Sequence, residues 1–341
     1  MGPILCNYYI TYRCNARCPF CNIWKLEGRD ARVGDVISNL KGLRSLGVKF
    51  IDFTGGEPLM HPDLPEMLEV AKGLGFITSV TTNCILYPRL AESIRGKVDL
   101  LHFSIDSDRA ELHDSIRGVK CFGRVMESLE IADKLGERPD LLFTLTDQNL
   151  GSLEGLVKLA QSLRLVLIVN PAFSYFGNPP AGKRALDAAE RVAHERYVYV
   201  NRAVIRLMKN GGNSTADPKC RAVSSTVVIS PDNSVILPCF HRSIGEIPID
   251  RPLDELWKGD EIRRAMAMEG RYRFCEGCAI SCYMDPSFLY EIDGYFWRSI
   301  LPKLGYFIDK HVRSLGRGME HLPGAGDLWD IFRSSISPVS F

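Results

Sequence analysis

Cys14, Cys18 and Cys21 lie in the run Thr11-Tyr12-Arg13-Cys14-Asn15-Ala16-Arg17-Cys18-Pro19-Phe20-Cys21, a C-x3-C-x2-C spacing. Three thiolates in one short loop can hold three corners of a cubane iron–sulfur cluster. The fourth iron would keep an open position, much as a catalytic zinc does. A zinc knuckle or three buried thiols is the plainer reading. Zinc usually wants four ligands, however, and no fourth lies nearby, since Cys6 sits inside strand-like sequence. A second set stands downstream: Cys220, Cys239 and the C-x2-C-x3-C run Cys275, Cys278, Cys282. Its spacing alone allows a four-cysteine zinc site.

Other reactive residue types end strand-like runs. In Asp52-Phe53-Thr54-Gly55-Gly56-Glu57-Pro58, the two glycines let backbone approach a ligand closely, and Glu57 can accept hydrogen bonds from an ammonium. Thr81-Thr82-Asn83-Cys84 and Phe103-Ser104-Ile105-Asp106-Ser107 close two further runs, and His113-Asp114-Ser115-Ile116-Arg117-Gly118 follows. The Arg117 fork suits a carboxylate because it can bind both oxygens. The plainer reading of each is a turn or a surface ion pair. Asn149 and Asn170 are weaker candidates of the same kind.

Such residues need elements that gather them. Strand-like runs cover Ile4–Thr11, Phe50–Thr54, Thr78–Thr82, Leu100–Ile105, Leu141–Thr146 and Leu165–Asn170. Amphipathic segments separate them; Leu150, Leu153, Leu156, Val157, Ala160 and Leu163 share one helical face. This alternation predicts a parallel sheet with right-handed crossovers. Six units fit an open (β/α)6 TIM-like partial barrel better than a closed eight-unit one, with chemistry at the carboxyl ends of the strands. After Asn170, a Pro/Gly-rich loop (171–183), one long helix over Ala185–Lys209 and a break at Gly211-Gly212-Asn213-Ser214 are predicted. Thr226–Leu237 reads as a hairpin turning at Asp232-Asn233, which would bring Cys220 and Cys239 together.

Composition narrows the class. The 341 residues carry 42 Lys+Arg against 41 Asp+Glu, with 45% hydrophobic and 24% charged residues. That excludes a disordered, collagen-like or disulfide-miniprotein chain. The neutral balance removes any global electrostatic reason to bind nucleic acid. The 11 cysteines are an odd number and clustered, which reads as metal-binding before disulfide-bonded. No basic and apolar leader pattern and no run of 18 apolar residues is seen, so a cytoplasmic location is expected.

The cysteine loop with Phe20 as its aromatic, followed by Gly55-Gly56-Glu57-Pro58 one unit later, resembles the radical S-adenosylmethionine (radical SAM) superfamily. The resemblance implies that Cys14, Cys18 and Cys21 bind a [4Fe–4S] cluster whose open iron chelates S-adenosylmethionine. Reductive cleavage then yields a 5′-deoxyadenosyl radical that abstracts hydrogen from a substrate. It also implies cofactor contacts from Phe20, Gly55, Gly56, Glu57, Pro58, Thr82, Asn83, Ser104 and Asp106 (near the ribose) and Arg117 (near the methionyl carboxylate). Cys84 departs from the family's usual Thr-Asn-Gly, which puts the local backbone geometry in question. Downstream, the order of hairpin, Gly245-x-Ile247, Leu256-Trp257 and C-x2-C resembles the SPASM/twitch extension, which implies one auxiliary [4Fe–4S] cluster. The best ligand set is Cys220, Cys239, Cys275 and Cys278, with Cys282 either replacing one or structural. Cys6, Cys84 and Cys121 are expected to be structural.

The domains expected are a barrel over 1–210, an α+β cluster-binding extension over 211–285 and an amphipathic aromatic helical tail over 286–341. The tail reads as a helical cover kinked at Pro302, or more sharply as a peripheral membrane contact through 286–322. The partners implied are a one-electron donor such as flavodoxin or ferredoxin and a peptide, small-molecule or lipid substrate. No catalytic acid or base stands out. The alternative is a zinc-stabilised binding protein without redox chemistry.

Overall fold

A computed structural model describes residues 2–313. Strand and helix alternate through β1 (Leu5–Thr11), α1 (Val33–Ser45), β2 (Phe50–Gly55), α2 (Leu64–Gly73), β3 (Ile77–Thr82), α3 (Tyr87–Ile94), β4 (Leu100–Ser104), α4 (Ala110–Arg117), α5 (Phe122–Lys134), β5 (Asp140–Leu145), α6 (Leu153–Leu163) and β6 (Leu167–Pro171). These six strands pair parallel in chain order, as expected of a radical SAM partial barrel.

Alternation along each strand sorts the two faces of the sheet. One face carries Tyr8, Ile51, Phe53, Val80, Phe103 and Phe143, all fully buried against helix residues such as Leu40, Leu43, Met67 and Leu156. Each such side chain contributes roughly 1.5–3 kcal/mol on burial. The other face is polar: Asp52 accepts from the Ser79 hydroxyl at 2.8 Å, and His102 lies 3.4 Å from Asp140. That inner face was not anticipated, although the period-2 pattern contains it.

The predicted helix over Ala185–Lys209 is interrupted. Helix α7 (Lys183–Val192) ends, Tyr197 takes a left-handed φ of 61°, and β7 (Val198–Tyr199) adds to the edge of β6. Then α8 (Arg202–Lys209) starts on Asn201, whose side chain accepts from the Ala203 and Val204 N–H groups. Asn at an N-cap satisfies donors that a continuous helix would not expose, and Tyr-Val-Tyr-Val favours extended backbone.

The chain then returns to the opposite edge. After α9 (Ala222–Ser225), β8 (Thr226–Ile229) pairs parallel with β1, and β9 (Ser234–Leu237) and β10 (Gly245–Pro248) follow antiparallel. One sheet therefore runs β10-β9-β8-β1-β2-β3-β4-β5-β6-β7. The hairpin turns at Asn233 with φ 57°, the conformation Asn tolerates. Helices α10 (Leu253–Leu256), α11 (Asp260–Met268), α12 (Ser281–Ser287) and α13 (Gly294–Phe307) complete the described chain.

The tail is a cover. Helix α13 packs on α8 and β7, and past it Lys310, like Tyr306 within it, donates to Asp140 at 2.7 Å. Asp140 opens β5, so the tail closes the amino ends of the strands. Pro302 does not split the helix as expected. Packing that buries Ser299 and Ile300 and pairs Lys303 with Asp285 outweighs the missing hydrogen bond. Trp297, Leu301, Ile308 and Val312 stay exposed. Residues 314–322 of the expected membrane contact lie outside the described residues. No helix among the described residues is long and apolar enough to cross a membrane.

Candidate functional site

The Cys14–Cys21 loop leaves the carboxyl end of β1, and the ends of β2, β3 and α4 close on it. Gly55 has φ 136°, and a Cβ there would lie 1.9 Å from the Thr11 carbonyl oxygen. A Cβ on Gly56 would lie 2.1 Å from the Arg13 carbonyl oxygen. No side chain fits either position, and the contact lets Gly56 N–H donate to Thr11 O at 2.9 Å and Glu57 N–H to Arg13 O at 2.8 Å. From the end of β3, Asn83 Nδ2 donates to Asn15 Oδ1 at 2.7 Å. From the end of α4, the Arg117 carbonyl accepts Arg17 N–H at 2.9 Å, and Arg117 Nη1 approaches Cys18 Sγ at 3.8 Å.

Glu57 is buried, with its two oxygens accepting Leu59 N–H at 3.2 Å and Asn83 N–H at 2.8 Å. Burial pushes its pKa up to about 7, against the pull of those donors. A carboxylate has lone pairs left after two bonds, so capacity for a further donor remains. Pro58 begins the turn beside it. Thr82 Oγ1 accepts Cys84 N–H at 3.0 Å, and Cys84 keeps the left-handed backbone, φ 67°, that a glycine would take there. Cys84 is fully buried.

Asp106 and Arg117 form a buried pair, Arg117 Nε to Asp106 Oδ2 at 2.7 Å. The resemblance assigned these two residues to different parts of the cofactor; here they hold each other. Ser104 is buried at the end of β4, and the Phe20 ring centre lies 5.9 Å from the Arg117 guanidinium. Asn149 is spent locally, bonded to Thr146 and the Thr144 carbonyl.

Four of the five downstream cysteines line one cavity: Cys220, Cys239, Cys275 and Cys278. Cys282 does not. It lies on α12 with part of the residue open to solvent, while burial of the thiol itself, and next to it the charge of Asp52, pushes its pKa up to about 11. Asn213 stitches the cavity wall. Its amide donates to Gly270 O at 2.9 Å and Cys275 O at 3.2 Å, and its Oδ1 accepts Lys219 and Cys220 N–H. Its backbone pairs with Cys278 O and Gly277 N, both at 2.8 Å. The segment that reads as a break is thus the knot of this site, and Asn213 was missed.

The two cysteine sets share a local geometry. The sulfurs of Cys14, Cys21, Cys220, Cys239 and Cys278 each accept the backbone N–H two residues on, from Ala16, Ile23, Ala222, His241 and Ile280. Such bonds stabilise the thiolate a metal centre needs. Burial pushes the Cys14 and Cys239 thiols up to about 12, so their thiolates require a compensating positive centre. Among the described residues, the one trio of metal-capable side chains within 4.8 Å of one another is His113, Asp114 and Cys121. The sulfurs of both cysteine sets are therefore spread more widely. Four sulfurs about 2.3 Å from one zinc would sit closer than that. The His113 trio is already spent: Asp114 accepts Cys121 and Phe122 N–H at 2.8 Å, and His113 meets the Asp106 N–H and the Cys121 sulfur.

Aromatic rings pack beside the second set. Tyr9 stacks on Phe240 at 4.1 Å, His241 meets Tyr175 at 4.5 Å, and the Tyr175 hydroxyl senses both Cys21 and Cys239.

Residues 8–160 match the family model described as the radical SAM superfamily. A probable GTP 3′,8-cyclase of Sulfurisphaera tokodaii is 26% identical over 316 residues, 84% of this chain and 94% of that protein. A probable GTP 3′,8-cyclase of Saccharolobus solfataricus is 30% identical over 159 residues, 45% of this chain and about half (52%) of that protein. Among solved structures, Streptococcus suis SuiB bound to S-adenosylmethionine superposes with a TM-score of 0.63 at 18% identity, over 86% of this chain and 76% of that one. The enzyme anSMEcpe with bound AdoMet and Cp18Cys peptide gives 0.60 at 17%, over 89% and 98%. These likenesses support the fold.

Proposed function

We propose that this chain, a radical SAM enzyme, holds its [4Fe–4S] cluster on Cys14, Cys18 and Cys21 and an auxiliary [4Fe–4S] cluster on Cys220, Cys239, Cys275 and Cys278, and abstracts hydrogen from a peptide or small organic substrate. When bound, the first cluster and S-adenosylmethionine supply a 5′-deoxyadenosyl radical. The observation that carries the reading is the convergence of the ends of β2, β3 and α4 on one cysteine loop, with a second cavity lined by four cysteines downstream.

In this reading Gly55 and Gly56 open backbone room beside the loop. Glu57 offers acceptor capacity to the cofactor's ammonium. Pro58, Thr82 and Asn83 shape that pocket, Phe20 closes one side, and Ser104 with the Asp106–Arg117 pair borders the ribose and carboxylate. The enclosing strands exclude water from the reacting carbon and hold it in place. The polar inner face, Asp52, Ser79 and His102, faces the substrate. Residues 211–285 act as the cluster-binding unit. A flavodoxin- or ferredoxin-type protein delivers the electron, and the exposed Trp297, Leu301, Ile308 and Val312 offer a surface contact for a membrane.

A second reading takes GTP as substrate, favoured by the relative that covers most of this chain. Against it, Arg13 and Arg117 beside the first site are each already held by a carboxylate, Asp30 and Asp106. A triphosphate needs several free cations. Anaerobic purification tests the reading. A brown protein with about eight irons, as two cubanes require, that forms 5′-deoxyadenosine with dithionite supports it. A colourless zinc protein refutes it. Incubation with GTP and with a peptide library, scored for deuterium transfer into 5′-deoxyadenosine, separates the substrates.

A further inference from the structure

The second cysteine cavity has one charged residue in its lining, Arg242. Apart from the four cysteines, its neighbours there are alanine, proline, glycine, isoleucine, tyrosine and methionine. Among the described residues, no ion pair or side-chain hydrogen bond engages the Arg242 guanidinium, unlike Arg13, Arg117, Lys303 and Lys310, which each hold a carboxylate. Arg242 is exposed, so its charge stands between the cavity and solvent.

Two opposing effects meet in such a cavity. An apolar lining disfavours added negative charge, so it resists reduction of a cluster held by four thiolates. A nearby unpaired cation has the opposite effect. We propose that Arg242 is a positioning residue that sets the reduction potential of the auxiliary cluster, raising it so that this centre accepts one electron. This rests on the auxiliary cluster proposed above. The reaction concerned is a one-electron reduction, with the electron supplied by dithionite or a mediator in the test below. The backbone supplies a separate contribution, since the Arg242 N–H donates to the Cys239 sulfur. Substituting the side chain leaves that bond in place and isolates the charge.

The experiment uses the full chain, loaded anaerobically, as wild type, R242K, R242Q and R242E. Iron content is measured first, and then each protein is titrated electrochemically while the reduced-cluster EPR signal is followed. The auxiliary signal is identified in the Cys14, Cys18 and Cys21→Ala variant. Expected is a midpoint near wild type for R242K, lower for R242Q and lowest for R242E. The differences should shrink at high salt because the residue faces water. Equal midpoints in wild type and R242E at full iron content overturn the inference and leave the cluster assignment standing. A wild type with about four irons overturns the auxiliary cluster itself. If R242E loads poorly, R242Q against R242K carries the same comparison.

Discussion

The two cysteine sites solve one problem in opposite ways. Cys14, Cys18 and Cys21 come from a single loop, and the fold's task is to press strand ends against it. Cys220, Cys239, Cys275 and Cys278 come from three separate segments, and a single buried side chain, Asn213, ties two of them together, the Cys220 and Cys275–Cys278 segments. The first site depends on close backbone approach, and the second on a hydrogen-bond hub. Each should therefore fail to a different kind of substitution.

The largest effect separates the sites outright. Replacing Cys14, Cys18 and Cys21 by Ala should abolish 5′-deoxyadenosine formation and remove about half of the iron. Replacing Cys275 and Cys278 should remove a similar share yet spare part of the cleavage while product is lost. Retained cleavage in the first variant would sink the assignment of the radical site.

The next two predictions attack the two supports. Gly56→Ala places a Cβ 2.1 Å from Arg13 O, a backbone atom that cannot swing aside. Several kcal/mol of strain is expected, at or above the about 1–3 kcal/mol of ordinary overpacking. Iron should leave the first site and stay in the second, as Mössbauer or EPR counting would show. Asn213→Ala should do the reverse. It strands the Gly270 carbonyl and the Lys219 and Cys220 N–H groups, and leaves the Cys275 carbonyl only the Cys278 N–H. Each buried group left unpaired costs about 1–3 kcal/mol. The second site should lose iron while 5′-deoxyadenosine still forms. A variant with both sites loaded would show that Asn213 is dispensable.

The same contrast explains what could be read without coordinates. A ligand loop after a strand is local information, and the partner loops follow from strand–helix alternation, so Gly55, Glu57, Asn83 and Arg117 were placed near it. The Asp106–Arg117 pairing was not, because an ion pair across 11 positions looks the same as two exposed residues. The second set left Cys282 undecided. Spacing counts residues, whereas the cavity is chosen by α12, which turns that thiol away. Asn213 hid in a Gly-Gly-Asn-Ser run because turn composition marks a bend without saying what the bend grips. The two-residue β7 was lost inside a helical pattern, since so short a strand has almost no periodicity of its own.

Acid should loosen both sites, because burial lowers the pKa of a histidine at each to about 4: His113 at the first and His241, beside Cys239, at the second. His113 underlies the Asp106 turn, and burial holds it neutral, with its pKa lowered to about 4 from 6.5 and Arg117 adding to the effect. An unfolded chain protonates this ring from about 6.5 downward while the folded chain does not. Stability from this group is full above that value and declines as pH falls toward 4. The slope approaches about 1.4 kcal/mol per pH unit within the window. His113→Gln should flatten that slope in urea unfolding followed from pH 7 to 4.5. An unchanged slope would assign the acid sensitivity elsewhere.

The smallest effect falls on the residue that belongs to neither site. Cys282 completes a C-x2-C-x3-C spacing, yet its thiol lies outside the cavity, on the side of Asp52 and Asp285. If four sulfurs suffice, Cys282→Ser keeps the full iron count and the same reduced-cluster EPR spectrum, because serine preserves size and removes only a ligand that is not used. If the cluster draws on all five positions in turn, the same variant loses iron or changes its spectrum. A conservative change of one atom therefore decides whether proximity in sequence or a shared cavity selects the ligands. The structure favours the cavity, because Cys220 and Cys239 reach it from elements remote in sequence while Cys282, four residues from Cys278, does not.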